Sequence, residues 1–145
     1  MSNTARQLLF GGSGPQGWMA DAGFTILRIF AGASLALAHG WDKIQGPPAP
    51  FVEGIAEMGF PFPTLSAWMA AIAEFFGGLL LAAGFLTRLC ALLILFTMLV
   101  AAFGMHWLHR GDPYRDMELA LLFGAVAFAF LLAGSGRFST DRFLR

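Results

Sequence analysis

Four apolar runs divide the chain, at about 22–40, 65–86, 89–107 and 117–133. At about 1.5 Å per residue, each crosses much or all of a hydrocarbon core about 30 Å thick. The breaks between them differ in kind. Pro47, Pro48 and Pro50 interrupt the long connection after the first run. Within it, Phe51, Val52, Ile55 and Met58 alternate with Glu53 and Glu57 at helical spacing, which predicts a short amphipathic helix on the membrane surface. Thr87 and Arg88 leave room only for a tight turn, whereas HRGDPYRD, residues 109–116, makes a polar loop. Gly134, Ser135 and Gly136 stop the last run. The pattern predicts an all-α fold: a transmembrane antiparallel four-helix bundle with a short interfacial amphipathic helix between spans one and two. Residues 1–21 read as a flexible leader, too glycine-rich and with too short an apolar cluster for a signal peptide. Residues 22–136 then form the bundle and residues 137–145 a short tail.

Composition agrees with the pattern and excludes several functions. The 145 residues are 57% hydrophobic and 12% charged, about half the charged share of an ordinary soluble domain. The formal net charge of zero offers no basic face for nucleic acid. A single cysteine, Cys90, excludes an internal disulfide and any cysteine-based redox pair or zinc cluster within the chain. Orientation follows from the Lys and Arg positions. Arg6, Arg88, Arg137, Arg142 and Arg145 fall on one side, against Lys43, Arg110 and Arg115 on the other, which favours both termini in the cytoplasm.

The polar residues inside the spans carry the candidate chemistry. Glu74 lies in a stripe of small residues that includes Ala67, Ala70, Ala71, Gly77, Gly78 and Gly84. A lone acid at that depth is costly and needs a partner. Arg28 and His39 share one face of span one, roughly 16 Å apart. An Arg28–Glu74 ion pair locking spans one and two is the plain structural reading; a proton-accepting or ligand-binding acid in a polar pocket is the functional one. His39 and His106 fall at span ends, where they serve either as interfacial residues or as donors to a quinone carbonyl. Glu118 in the first turn of span four is explained by the helix dipole, yet it falls at the same end as the histidines. Together Arg28, His39, Glu74, His106 and Glu118 form a candidate ligand or quinone site, with no metal site and no haem expected.

Short motifs then add a family likeness. Arg28, His39-Gly40 and Lys43, then Gly59-Phe60-Pro61, Glu74 with Gly77-Gly78, residues 84–88 (GFLTR) and residues 134–141 (GSGRFSTD) occur in this order. In this respect the chain resembles the DoxX family over about residues 23–141. The resemblance implies a small four-helix protein of the bacterial inner membrane, often associated with redox partners. Relatives include the small membrane subunit of a thiosulfate:quinone oxidoreductase and a member of a membrane-associated oxidoreductase complex. Many relatives have no assigned activity, and the one cysteine here falls in a span, so no sulfur-oxidising site is read. Three functions stay open: a redox-linked, quinone-interacting subunit of an oxidoreductase complex; a non-catalytic scaffold or assembly factor; and a binding or transport protein for a small solute. The partners implied are the lipid bilayer, a protein of a redox complex and a second copy of the chain.

Overall fold

A computed structural model describes residues 17–143, and among these every regular element is helical. Four long helices, α1 (Trp18–Ile44), α3 (Pro63–Ala83), α4 (Thr87–Arg110) and α5 (Tyr114–Ala133), are apolar enough to cross a membrane. The amphipathic helix expected between the first two spans is α2 (Ala49–Glu57), and a short α6 (Thr140–Phe143) follows the last span. Successive spans pack antiparallel; α3 lies between α1 and α4, and α5 packs on α4 and reaches α1. Of the leader expected over residues 1–21, residues 18–21 belong to α1 and residues 1–16 lie outside the described residues, as do residues 144–145.

The helices outrun the apolar runs because a polar residue does not end a helix; a proline or a left-handed glycine does. Gly40 keeps right-handed helical angles, φ −79° and ψ −34°, so α1 continues to Ile44. Within that span Ala36–Gly40 widens to π-helical hydrogen bonding before a final α-helical turn, Trp41–Ile44, and the last turns of α4, Val100–Arg110, widen likewise. Gly111, left-handed at φ 66°, closes α4, and Pro113 precedes α5. The loop expected over 109–116 therefore shrinks to residues 111–113. Glu118, expected in the first turn of its span, stands in the second turn of α5.

Small residues let α1 and α3 approach closely. A methyl on Gly32 would fall 2.5 Å from the Gly78 carbonyl oxygen, and one on Gly78 would fall 2.7 Å from the Gly32 oxygen. No side chain fits between those backbones. In lipid such contact replaces the hydrophobic drive that assembles soluble bundles. The core on the other side of α3 gathers Leu81, Cys90, Ile94, Met98 and Phe130 with Leu35 of α1. Outward, Phe30, Phe76, Leu122 and Leu132 are at least half exposed, an arrangement suited to acyl chains and not to water.

Candidate functional site

The structure divides the intramembrane polar residues between the two ends of the bundle. At one end, Gly40 brings α1 onto the backbone of α3: a methyl there would lie 2.6 Å from the Phe75 amide nitrogen. One turn further on, Lys43 reaches back to Glu74. Its ammonium donates to both carboxylate oxygens, at 2.8 Å to Oε1 and 2.6 Å to Oε2. The Glu74 side chain is 4% exposed and that of Lys43 25%, so the acid is buried and the base is its link to the surroundings. Lys43 also stands over the Phe51 ring of α2, 4.6 Å from its centroid.

At the other end, the Arg28 guanidinium is buried and spends its donors on backbone. It donates to the carbonyls of Ser135 and Phe138, the latter at 2.7 Å, with a longer contact of 3.4 Å to Ala82. The expected Arg28–Glu74 ion pair is therefore corrected. With Gly40 seated against Phe75, the antiparallel register sets Arg28 beside Ala82 and Gly84, roughly 12–15 Å along α3 from Glu74. Arg28 holds the segment after α5 in place. Thr140 Oγ1 donates to the Ala83 carbonyl at 2.9 Å, and the Asp141 carboxylate accepts from the amides of Leu86 and Thr87 at 2.8 and 3.0 Å. Those two bonds cap α4 and support Leu86 in a left-handed conformation, φ 48°, which costs a residue with a side chain roughly 1–2 kcal/mol.

Two cavities meet at the Lys43–Glu74 pair. The larger, about 420 Å³, lies between α2, α3 and α4. Its wall is mostly apolar, with Phe51, Ile55, Met69, Phe96 and Met105 prominent, and Lys43, Glu74 and His106 supply its polar end. The smaller, about 190 Å³, lies toward α5 and is lined by His39, Lys43, Glu74, His106 and Asp116 beside Leu35 and Phe123. His106 faces both. Its Nδ1 lies 2.8 Å from Asp112 Oδ2; an ionised carboxylate can only accept, so this contact makes Nδ1 the donor. His39 sits edge-on to Phe123 with ring centroids 5.7 Å apart. Helix α2 is tied over the larger cavity by a 3.0 Å contact between Glu57 Oε2 and His109 Nε2.

Of the residues expected to form one site, His39, Glu74 and His106 come together, whereas Arg28 lies at the far end and Glu118 is exposed and lines neither cavity. Lys43 and Asp116 take the vacant places. The sequence offers Lys43 as a motif residue and a loop charge past the apparent end of span one; the clue to its place lies in Gly40, three positions earlier, through which a helix can continue. Asp116, which is in the first turn of α5, was hidden by reading that turn as loop.

Four apolar helices with buried charges facing inward make this an integral membrane protein of the multi-pass helical class. A family model, DoxX, matches residues 23–107, and the chain belongs to the DoxX family. The inner membrane protein YphA of Escherichia coli K12 is 32% identical over 146 residues, covering 97% of this chain and 99% of that protein. The inner membrane protein YqjF of the same organism is 31% identical over 134 residues, covering 87% and 95%. An uncharacterized protein of Haemophilus influenzae is 29% identical over 119 residues, covering 79% and 85%. No solved structure matches the chain. Composition, helices and relatives agree on a multi-pass inner-membrane protein in contact with the lipid bilayer.

Proposed function

We propose that the larger cavity binds the head of an apolar-tailed molecule of the quinone class, and that the protein is the membrane subunit of a redox-linked complex. The observation that carries this reading is the cavity itself. Its volume of about 420 Å³ falls within the ~300–1,000 Å³ of small-molecule sites, which are likewise largely apolar with a few fixed polar groups. A structural ion pair alone needs no such space. A quinone in that place supplies two-electron, two-proton carbonyl chemistry, with electrons from a redox protein docked on the complex. Lys43 can share its ammonium between Glu74 and a carbonyl oxygen, since it carries three donors. Glu74 can hold or yield a proton beside that oxygen. His106, fixed by Asp112, orients its ring at the same polar end. With both termini in the cytoplasm, as the Lys and Arg positions favour, the cavity lies in the outer half of the membrane.

Purification in mild detergent, solvent extraction and mass spectrometry test this. Quinone should co-purify above its level in bulk membrane lipid and fall in Glu74→Gln and Lys43→Met. Quinone at the bulk level in the unaltered protein refutes the reading and leaves the scaffold function in its place.

A further inference from the structure

The smaller cavity has no role in holding an apolar tail, and its wall is of a different kind. Five titratable side chains from four helices face it: His39 and Lys43 from α1 with Glu74 from α3 across from them, His106 from α4, and Asp116 from the first turn of α5. Asp116 is exposed at the bundle end while Glu74 is buried, so the space runs from the surface to the ion pair. Cavities lined by hydrocarbon stay dry, whereas water settles where it finds two to four polar partners. This one offers them, and at about 190 Å³ it has room for several waters at roughly 30 Å³ each.

His39 gives a second, independent sign. Its imidazole is half-buried within a spanning helix, and no described residue forms a hydrogen bond with its ring nitrogens. A polar ring inside a bundle needs a partner, and water in the adjoining space supplies one. Lys43 likewise directs hydrogen bonds to Glu74 and has a donor left over.

We infer that the smaller cavity is a hydrated vestibule through which the Lys43–Glu74 pair exchanges protons with water at the α2 end of the bundle. The groups facing Glu74 are then Lys43 and His39 of α1, His106 of α4 and Asp116 of α5, with Arg110 on the side of the larger cavity; α2 presents apolar residues there. As a source of protons for a bound head group the vestibule rests on the function proposed above; as a water-filled space it does not.

Cysteine accessibility separates the two. In a Cys90→Ala background, Ala120→Cys places a thiol on the vestibule wall, and Leu122→Cys places one on the lipid side of α5, about 3 Å away along the axis. The probe is the water-borne, cationic reagent methanethiosulfonate ethyltrimethylammonium, applied to the protein in proteoliposomes. A thiol reacts as the thiolate, which forms in water and not in hydrocarbon, so Ala120→Cys should label at least about tenfold faster than Leu122→Cys. Where Ala120→Cys does not purify as a monodisperse protein, Ala101→Cys on α4, which also lines the space, takes its place. Labelling no faster than at Leu122→Cys overturns the vestibule. Quinone content is scored separately, so rapid labelling of a quinone-free protein retains the vestibule and removes only its proposed use.

Discussion

Replacing Arg28 should unfasten one end of the bundle and leave the other intact. In Arg28→Ala, the Ser135 carbonyl loses its donor in a buried setting and the Phe138 carbonyl in a partly buried one. Each buried, unsatisfied acceptor costs about 1–3 kcal/mol. The 3.4 Å contact to Ala82 is too long to add much, so the loss comes to about 1–3 kcal/mol at Ser135 with a smaller share at Phe138, before any collapse of the emptied space. For a chain of this size that lowers the thermal midpoint by on the order of 10 °C. Arg28→Lys should recover only part, because one ammonium cannot reproduce a planar fork directed at carbonyls on separate segments. Thermal unfolding in detergent measures the first effect. Trypsin cleavage after Arg137 and Arg142 measures the second, since release of this segment exposes both bonds. Quinone retained per folded molecule should not change, as the guanidinium lies roughly 12–15 Å along α3 from Glu74. A midpoint within measurement error of the parent, with the tail no more readily cut, would refute the clasp. Lost quinone at an unchanged midpoint would refute the separation of the two centres.

Other substitutions probe the ion pair, the close helix contact and the cap of α4. Lys43→Met alone leaves Glu74 buried and unpaired, a cost of about 3–5 kcal/mol, whereas Lys43→Met with Glu74→Met should be near neutral or up to about 4 kcal/mol more stable; thermal midpoints decide, and the double variant should still fail to retain quinone. Gly78→Val forces a side chain against the Gly32 carbonyl and should destabilise by about 1–3 kcal/mol or more, read as a lower midpoint; a neutral result would show that α1 and α3 are not in the contact described. Asp141→Ala removes the acceptor for the Leu86 and Thr87 amides and should cost about 0.5–2 kcal/mol, measured the same way. Glu118→Ala should stay within about 0.5 kcal/mol of the parent and keep its quinone, because Glu118 is exposed and borders neither cavity.

The bundle was legible in the sequence because hydrocarbon allows few solutions. A long apolar run must be helical so that its backbone groups bond one another, and the short joints, expected at Thr87–Arg88 and 109–116 and found at residues 84–86 and 111–113, leave only antiparallel neighbours. The stripe containing Gly78 likewise told which face of α3 meets a helix. Pairing was not legible. Arg28 and Glu74 each need relief from burial, but need does not fix register. Register is set where Gly40 rests on Phe75 and Gly32 on Gly78, and a shift of about two turns between antiparallel helices changes every partner. Arg28 found its relief in backbone carbonyls, a class of partner that charge-matching never proposes. Lys43 reads as a loop charge for a related reason: it lies past the apolar run, and only a long flexible stem carries its charge back inside.

That contrast between the ends bears on where chemistry belongs. Around Arg28 the donors meet carbonyls, the Asp141 carboxylate meets two amides, and Gly84 is pressed so close that a methyl would fall 2.6 Å from the guanidinium. Such a centre is filled, and its guanidinium and carboxylate are used up in holding the chain. Around Glu74 the helices widen into π-helical turns, cavities lie on either side of the ion pair, and α2 is held partly by the Glu57–His109 contact, whose acid is 64% exposed. A bundle that needed only stability would have closed that space with larger side chains in place of Ala70, Ala73 and Ala101. The open end is the one with room for a ligand, and the clasp at the opposite end holds the helices in register.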